Sequence, residues 1–537
     1  MTSPKTAADA ARDRADRAGR AGRMEWAALA VLLLPLLLVS MDVSVLYFAV
    51  PFISRELGPS ATEQLWIFDI YGFVLGGLLL TMGALGDRVG RRRLLLTGAA
   101  AFGAASVAAA YATTPGMLIA ARALLGIGGA TLMPSTLGLI RDLFRDAKQR
   151  ATAISIWSAV LTGGVALGPV LSGVLLEHFW WGSVFLMNLP AMVLLLALAP
   201  ALVPESRNPY TAARFDWPGS LLSLAAILPV IYGVKELAAH GWAFGPVLAL
   251  AAGLAFAAAF LRRQRTAAHP MIDLALFRSP GFGAALGTNL VAMFVMVGFA
   301  IFTTQYLQSV LAMSPLEAAL WSLVPSGSVG VAAPAAVQLA RRVPRAYVIS
   351  GGFAAAALGF LVLTQLRAGS PLVLVLAGAG VYAMGVAVVM TLVTDLVLGA
   401  APAEQAGTAS GLLESVTEFG GALGMAVLGS VGAAVYRHQA ADTLPGGLPG
   451  DAADAARETL GGAGAVAGRL PEPTGDALLT AARAAFTDGM NAAAVAGAVL
   501  TATAAVATAR ALRTVRAPAP AAPTPAAAPE DGKISGS

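Results

Sequence analysis

The stretch GALGDRVGRRR, running from Gly83 through Asp87, Arg88 and Gly90 to Arg91, Arg92 and Arg93, decides the fold of this 537-residue chain. It is a glycine-rich turn holding one acid and four arginines, set between apolar stretches at about 65 to 86 and 94 to 112. Each stretch can cross a bilayer as a helix, which takes roughly 20 apolar residues. A tight basic turn between two such helices can latch their ends together by charge pairs beside the membrane. Outward from this turn the alternation continues. Apolar stretches fall at about 27 to 50, 65 to 86, 94 to 112, 116 to 140, 151 to 176, 182 to 203, 217 to 238, 244 to 261, 282 to 307, 316 to 340, 346 to 366, 371 to 398, 407 to 436 and 486 to 510. These fourteen spans make an all-α polytopic membrane protein. With 57% hydrophobic and 12% charged residues, and a mean hydropathy of +0.74, the chain cannot be an ordinary soluble domain.

Arginine and lysine are retained on the cytoplasmic side of short loops. Seventeen of them follow even-numbered spans, and in the short loops after odd-numbered spans there are only Arg55, Lys235 and Arg367. Both termini are therefore expected in the cytoplasm of a cell carrying the protein in its plasma membrane. The formal charge of +5 reflects this orientation and not a nucleic-acid partner. Residues 1–25 and 513–537, polar or Ala/Pro-rich, are expected as disordered cytoplasmic tails. The connection at about 437–485 reads either as a flexible connector or as an outer cap that attracts cations.

Charged residues inside spans carry the functional signal, because each is costly in hydrocarbon and persists for a reason. Arg122 lies in span four, in RALLGIGG. Asp42 and Asp69 lie in the outer halves of spans one and two, in MDVS and WIFDIY. Asp42 reads either as a site acid or as a structural partner for an arginine such as Arg122. Glu414 and Glu418 are four residues apart and so share one helix face; at 1.5 Å per residue they fall about 10 and 16 Å into span thirteen, near mid-membrane. Small residues in span five, Gly163, Gly164, Gly168 and Gly173, let backbones pack closely, and Pro169 interrupts the run. Trp66, Tyr71, Phe299 and Tyr306 are candidate aromatic faces for a cation, against packing as the alternative for each.

The 83–93 loop, the Arg122 segment and GGVALGPVLSG together resemble signature motifs of the major facilitator superfamily. The last resembles a motif that its antiporters carry. MDVS, WIFDIY and ESVTEFGG further resemble the fourteen-span drug:proton antiporters, bacterial pumps for quaternary ammonium compounds and dyes. The resemblance covers residues 24–512. It implies two six-helix bundles, 26–203 and 266–512, with two inserted spans at 204–265, and alternating access between them. It also implies that Asp42, Asp69, Glu414 and Glu418 couple protons to the export of a lipophilic cation, while Gly83, Asp87, Arg88, Gly90, Arg91, Arg92, Arg122, Gly164, Gly168, Pro169 and Gly173 serve the conformational change. One departure is that LVPSGSVG in span ten, Leu323 to Gly330, lacks the further acid some of these pumps have, which puts divalent cations in doubt.

Cysteine is absent, and the four histidines sit in connections, so thiolate chemistry and membrane-embedded metal or heme ligation are not expected. No GxxxxGK(S/T) loop is present, which argues against ATP as energy source. No cofactor is expected; the partners are a small-molecule cation, protons and lipid, and the chain is expected to act as a monomer. A dedicated exporter of one metabolite or antibiotic stays open on the same scaffold, and a membrane sensor or enzyme is the alternative from another class.

Overall fold

A computed structural model describes residues 21–512, apart from 145, 208–215, 241, 268–273, 401–405 and 446–448. The expected tails thus fall largely outside the described residues, although Ala21 already donates its N–H to Gln149 Oε1 at 2.8 Å.

In chain order the helices are α1 (Arg23–Leu57), α2 (Ala61–Val89), α3 (Arg91–Ala110), α4 (Pro115–Leu143), α5 (Ala147–His178), the single turn α6 (Ser183–Leu186) and α7 (Asn188–Leu202). Then come α8 (Trp217–His240), α9 (Phe244–Thr266), α10 (Pro280–Gln305), α11 (Pro315–Leu339), α12 (Arg345–Leu363), α13 (Leu372–Ala400) and α14 (Ala406–Thr443). The short α15 (Gly450–Glu458) and α16 (Leu460–Ala467) precede α17 (Glu472–Ala511). Every sequence-read span coincides with one of these helices, span six being α6 with α7. Twelve of the described helices are long and apolar enough to cross a membrane, and α8 carries a shorter apolar stretch, Pro218–Gly233.

Local chemistry fixes where helices begin. Ser60 and Glu63 form a reciprocal capping box at the start of α2. Thr114 and Ser314 cap α4 and α11, each with proline at the first helical position, where the missing N–H costs nothing. Gly58, left-handed at φ 57°, ends α1.

Helices α1–α7 pack as one bundle and α10–α14 with α17 as another, while α8 and α9 pair with each other. The bundles meet where α2 lies on α14 and α5 on α11, and α8 touches both α2 and α14. Its seat is a small apolar cluster of Phe73, Ile231, Ala422 and Ala426, with a 2.7 Å hydrogen bond between the Thr81 and Ser220 hydroxyls. The pair α8–α9 is pinned by Arg263 Nε donating to Asp216 Oδ1 at 2.6 Å.

The pole of the molecule opposite the termini is closed. A methyl group built on Gly173 of α5 would lie 2.8 Å from Leu316 Cα of α11, so the two backbones touch there. Further along the same helices, Gly163 of α5 and Gly327 and Gly330 of α11 have nothing within 4 Å of such a methyl. The connection at 437–485 is folded where it is described, which corrects the flexible-connector reading. Helix α14 runs on to Thr443, α15 and α16 follow, and α17 starts at Glu472, well before the expected 486. Tyr436 Oη donates to Ala456 O at 2.8 Å, and the Ala61 N–H of α2 donates to Glu458 Oε2 at 3.2 Å, so this segment caps both bundles.

Candidate functional site

Arg122 projects from α4 into the α1–α7 bundle and is wholly buried. Its Nη1 donates to Asp42 Oδ2 of α1, its Nε to Ile67 O at 3.0 Å and its Nη2 to Phe68 O at 3.4 Å. The guanidinium carbon lies 4.7 Å from the centroid of the Tyr71 ring. One cation thus ties α1, α2 and α4 together. An ion pair this deep persists because charge-assisted hydrogen bonds and a ring face replace the lost water. Tyr71, a candidate aromatic for substrate, is engaged here.

The small residues of α5 lie against the same stretch of α1. A methyl at Gly164 would come within 2.9 Å of Leu37 O, and one at Gly168 within 3.2 Å of Met41 O. Ser172 Oγ donates to Val45 O at 2.9 Å. Gly164 and Gly168 therefore permit the contact of α5 with α1 beside Asp42, Gly173 that of α5 with α11, and Pro169 removes one backbone donor between them.

Across the bundle interface the arrangement differs. Gly420 and Gly424 of α14 lie on α10 at Leu290 and Phe294, and Asn289 Nδ2 donates to Thr417 Oγ1 at 2.8 Å. With that face used, Glu418 is turned toward α2: a methyl on Gly76 would sit 3.0 Å from Glu418 Cβ, and one on Gly72 3.9 Å from Glu418 Oε2. Both glutamates are half-buried, and they lie within electrostatic reach of each other. Neither has an ion pair or hydrogen bond among the described residues.

Tyr47, buried on α1, stacks on Phe68 with centroids 5.6 Å apart, and its hydroxyl has no hydrogen-bond partner among the described residues. It lies within electrostatic reach of Asp69, Tyr382, Glu418 and Arg122. Asp69 itself is buried on α2. Sequence reading missed Tyr47 and Tyr382. Tyr47 follows Asp42 by five residues, so that signal was present.

The remaining aromatic candidates are placed elsewhere. Phe299 is fully buried among Phe302, Phe360 and Tyr382, with centroids at 5.5, 5.1 and 5.8 Å. Tyr306 is buried too, and its hydroxyl donates to Arg367 O at 2.6 Å. Both pack within the second bundle. Trp66 is half-buried beside the α8 seat.

At the 83–93 turn, Gly90 has φ 115° and Glu205 lies against it, so a side chain there would meet both strain and a carboxylate. Arg91 Nη1 reaches Asp142 Oδ2 at 3.4 Å. The Arg92 N–H donates to Glu205 Oε1 at 3.0 Å, and Arg92 Nη1 to Val203 O at 3.0 Å and Pro200 O at 3.2 Å. The turn therefore latches the ends of α4 and α7. A methyl on Gly83 would sit 3.5 Å from Pro134 Cβ, an ordinary contact. Arg88 is exposed, and the Asp87 side chain lies outside the described residues. Glu205 was missed in the sequence, although an acid at a span end facing a basic turn is a legible signal.

A family model described as Major Facilitator Superfamily matches residues 32–425. The chain is 43% identical over 475 residues to the multidrug efflux pump LfrA of Mycolicibacterium smegmatis, covering 88% of this chain and 94% of that one. It is 36% identical over 467 residues to the methyl viologen resistance protein SmvA of Salmonella typhimurium, covering 86% and 93%. In fold it is similar to a bacterial homologue of the human lysosomal transporter Spinster, solved inward-facing and unoccupied, with TM-score 0.66, 18% identity and coverage of 93% and 99%.

Proposed function

The chain belongs to the Major Facilitator Superfamily and is a transporter rather than an enzyme; from that premise we propose that it exports lipophilic organic cations in exchange for protons. Quaternary ammonium compounds and cationic dyes are the substrate class. The observation that carries this reading is the Glu414–Glu418 pair, two carboxylates sharing a helix face between the bundles, with no counter-cation among the described residues. Removing a carboxylate from water costs free energy that either a proton or a cation can offset. A proton and a cationic drug therefore compete for the same oxygens, and loading one expels the other.

The relatives' names point the same way, to drugs and to methyl viologen. Methyl viologen carries two fixed positive charges, so two carboxylates on one face also suit a dication, without the missing acid of span ten. In this mechanism Asp69 and Tyr47 line the opposite wall of the site. Asp42 takes part as the counter-charge that holds Arg122, and so joins the site to the helices that must move. With both termini in the cytoplasm of a plasma membrane, the closed distal pole corresponds to a state open inward, ready to load drug and release protons. The protein works as a monomer in this scheme. Exchange of more than one proton per monovalent cation draws on the membrane potential as well, about 2.3 kcal/mol per charge per 100 mV.

The test is ethidium uptake by proteoliposomes under an imposed pH gradient, comparing parent with Glu414→Gln and Glu418→Gln. Uptake that tracks the gradient and is lost in at least one variant is the expected result. Uptake indifferent to the gradient, or to both substitutions, would sink the proposal.

A further inference from the structure

A second cavity lies at the closed pole, away from the glutamate pair. It has a volume of about 280 Å³, is open on one side, and is bounded by the outer end of α1, the segment after α10, α16 and α17. Its polar lining is all donor or neutral: Arg55 of α1, Gln308 and Ser309 of the α10 end, and Arg483 of α17. Among the described residues no carboxylate lines it. Among the described residues neither arginine has an ion pair; Arg55 lies 5.9 Å from the Phe52 ring, and Arg483 spends only its Nε, on Ser309 O at 2.9 Å. The Gln308 Nε2 is buried without a hydrogen-bond partner among the described residues.

The wall carrying Gln308 and Ser309 is built from irregular backbone. The chain leaves α10 as a π-turn over Tyr306–Val310, and Ala312 then takes φ 54°, a left-handed conformation unfavourable for any residue with a side chain. Such backbone persists where the surroundings require it, and here it forms one side of the cavity. The rest of the lining, Phe52, Met313, Leu460 and Leu479 among it, is apolar.

We infer that this cavity is a binding site for an anionic head group, a phosphate monoester or diester, seated between Arg55 and Arg483. Two guanidiniums in one cavity repel each other, and a phosphate accepts hydrogen bonds from both, with the Gln308 amide as a third donor. Arg55 belongs to the first bundle and Arg483 to the second, so the bound anion bridges the bundles in the closed-pole state. An apolar wall beside a cationic one favours a phosphate that carries acyl chains, an anionic phospholipid of the outer leaflet, over free phosphate. The site is independent of the proposed transport chemistry.

The experiment is lipid retention by purified full-length protein in native mass spectrometry, paired with thermal unfolding in detergent. The probes are palmitoyl-oleoyl phosphatidylglycerol, the matching phosphatidylcholine, and inorganic phosphate alone. The parent is expected to retain phosphatidylglycerol at least tenfold over phosphatidylcholine and to unfold several degrees higher with it. Arg55→Gln/Arg483→Gln loses both effects, while Arg469→Gln, an exposed arginine outside the cavity, keeps them. A phosphate-only shift of equal size, lost in the same double variant, identifies the free anion as the source. Should the double variant not fold, Arg55→Gln alone, at an exposed side chain, carries the comparison. Phosphatidylglycerol retained equally by parent and Arg55→Gln, or no preference over phosphatidylcholine, overturns the assignment.

Discussion

Asp42 of α1 and Glu418 of α14 are both withdrawn from bulk water, on opposite bundles, yet only Asp42 has a cation within hydrogen-bond reach. Arg122 meets Asp42 inside a single bundle, with backbone carbonyls and a tyrosine face absorbing the rest of its charge. Glu418 meets glycines of the other bundle and a second glutamate. The difference teaches how to sort intramembrane charges. A charge compensated within one rigid body holds that body together, whereas one left uncompensated between two bodies is available to a ligand.

The comparison breaks most visibly at Arg122. Arg122→Leu leaves Asp42 buried without its partner and is expected to cost about 3–5 kcal/mol, read as a large drop in the thermal unfolding midpoint. Replacing both partners, Asp42→Leu with Arg122→Met, should recover much of that stability, since an apolar pair has no charge to compensate. Unchanged stability in Arg122→Leu would remove the pair from the structural side of the comparison.

On the other side, Glu418→Gln should lower gradient-driven ethidium uptake by at least tenfold while leaving the unfolding midpoint unchanged or higher, because it removes an uncompensated charge. A loss of stability like that at Arg122 would show that an internal partner exists after all. Gly168→Leu sharpens the first site from outside: it forces α5 off α1 next to Asp42, and overpacking of this kind costs about 1–3 kcal/mol. A smaller cost is expected at the turn, where Gly90→Ala meets φ 115° and Glu205, roughly 1–2 kcal/mol in the same unfolding measurement. The smallest belongs to Glu205→Gln. The Arg92–Glu205 pair is partly solvated, at 29% and 22% side-chain exposure, so its loss should cost less than about 1 kcal/mol and shrink further in high salt.

The span count, the positions of the intramembrane charges and the basic turn were all legible in the sequence. Each is a local property, because a bilayer imposes the same demand on every run of about 20 residues. Helix starts were equally local, written in Ser60 with Glu63 and in the Thr-Pro and Ser-Pro pairs. Contacts between residues distant in the chain were legible at most as open alternatives, as for Asp42 with Arg122. That Arg122 takes Asp42, that Glu205 takes the turn, and that Phe299 and Tyr306 fill a bundle and not a site depends on which helices become neighbours. The connection at 437–485 shows the same limit: its Gly, Ala and Pro content suggested slack, but Glu458 and Tyr436 gain partners only once both bundles stand beneath it. Sequence alone therefore determined that acids lie within the membrane. Only the tertiary structure decided which of them have their charge answered from within, because the cost of a buried charge depends on what packs around it.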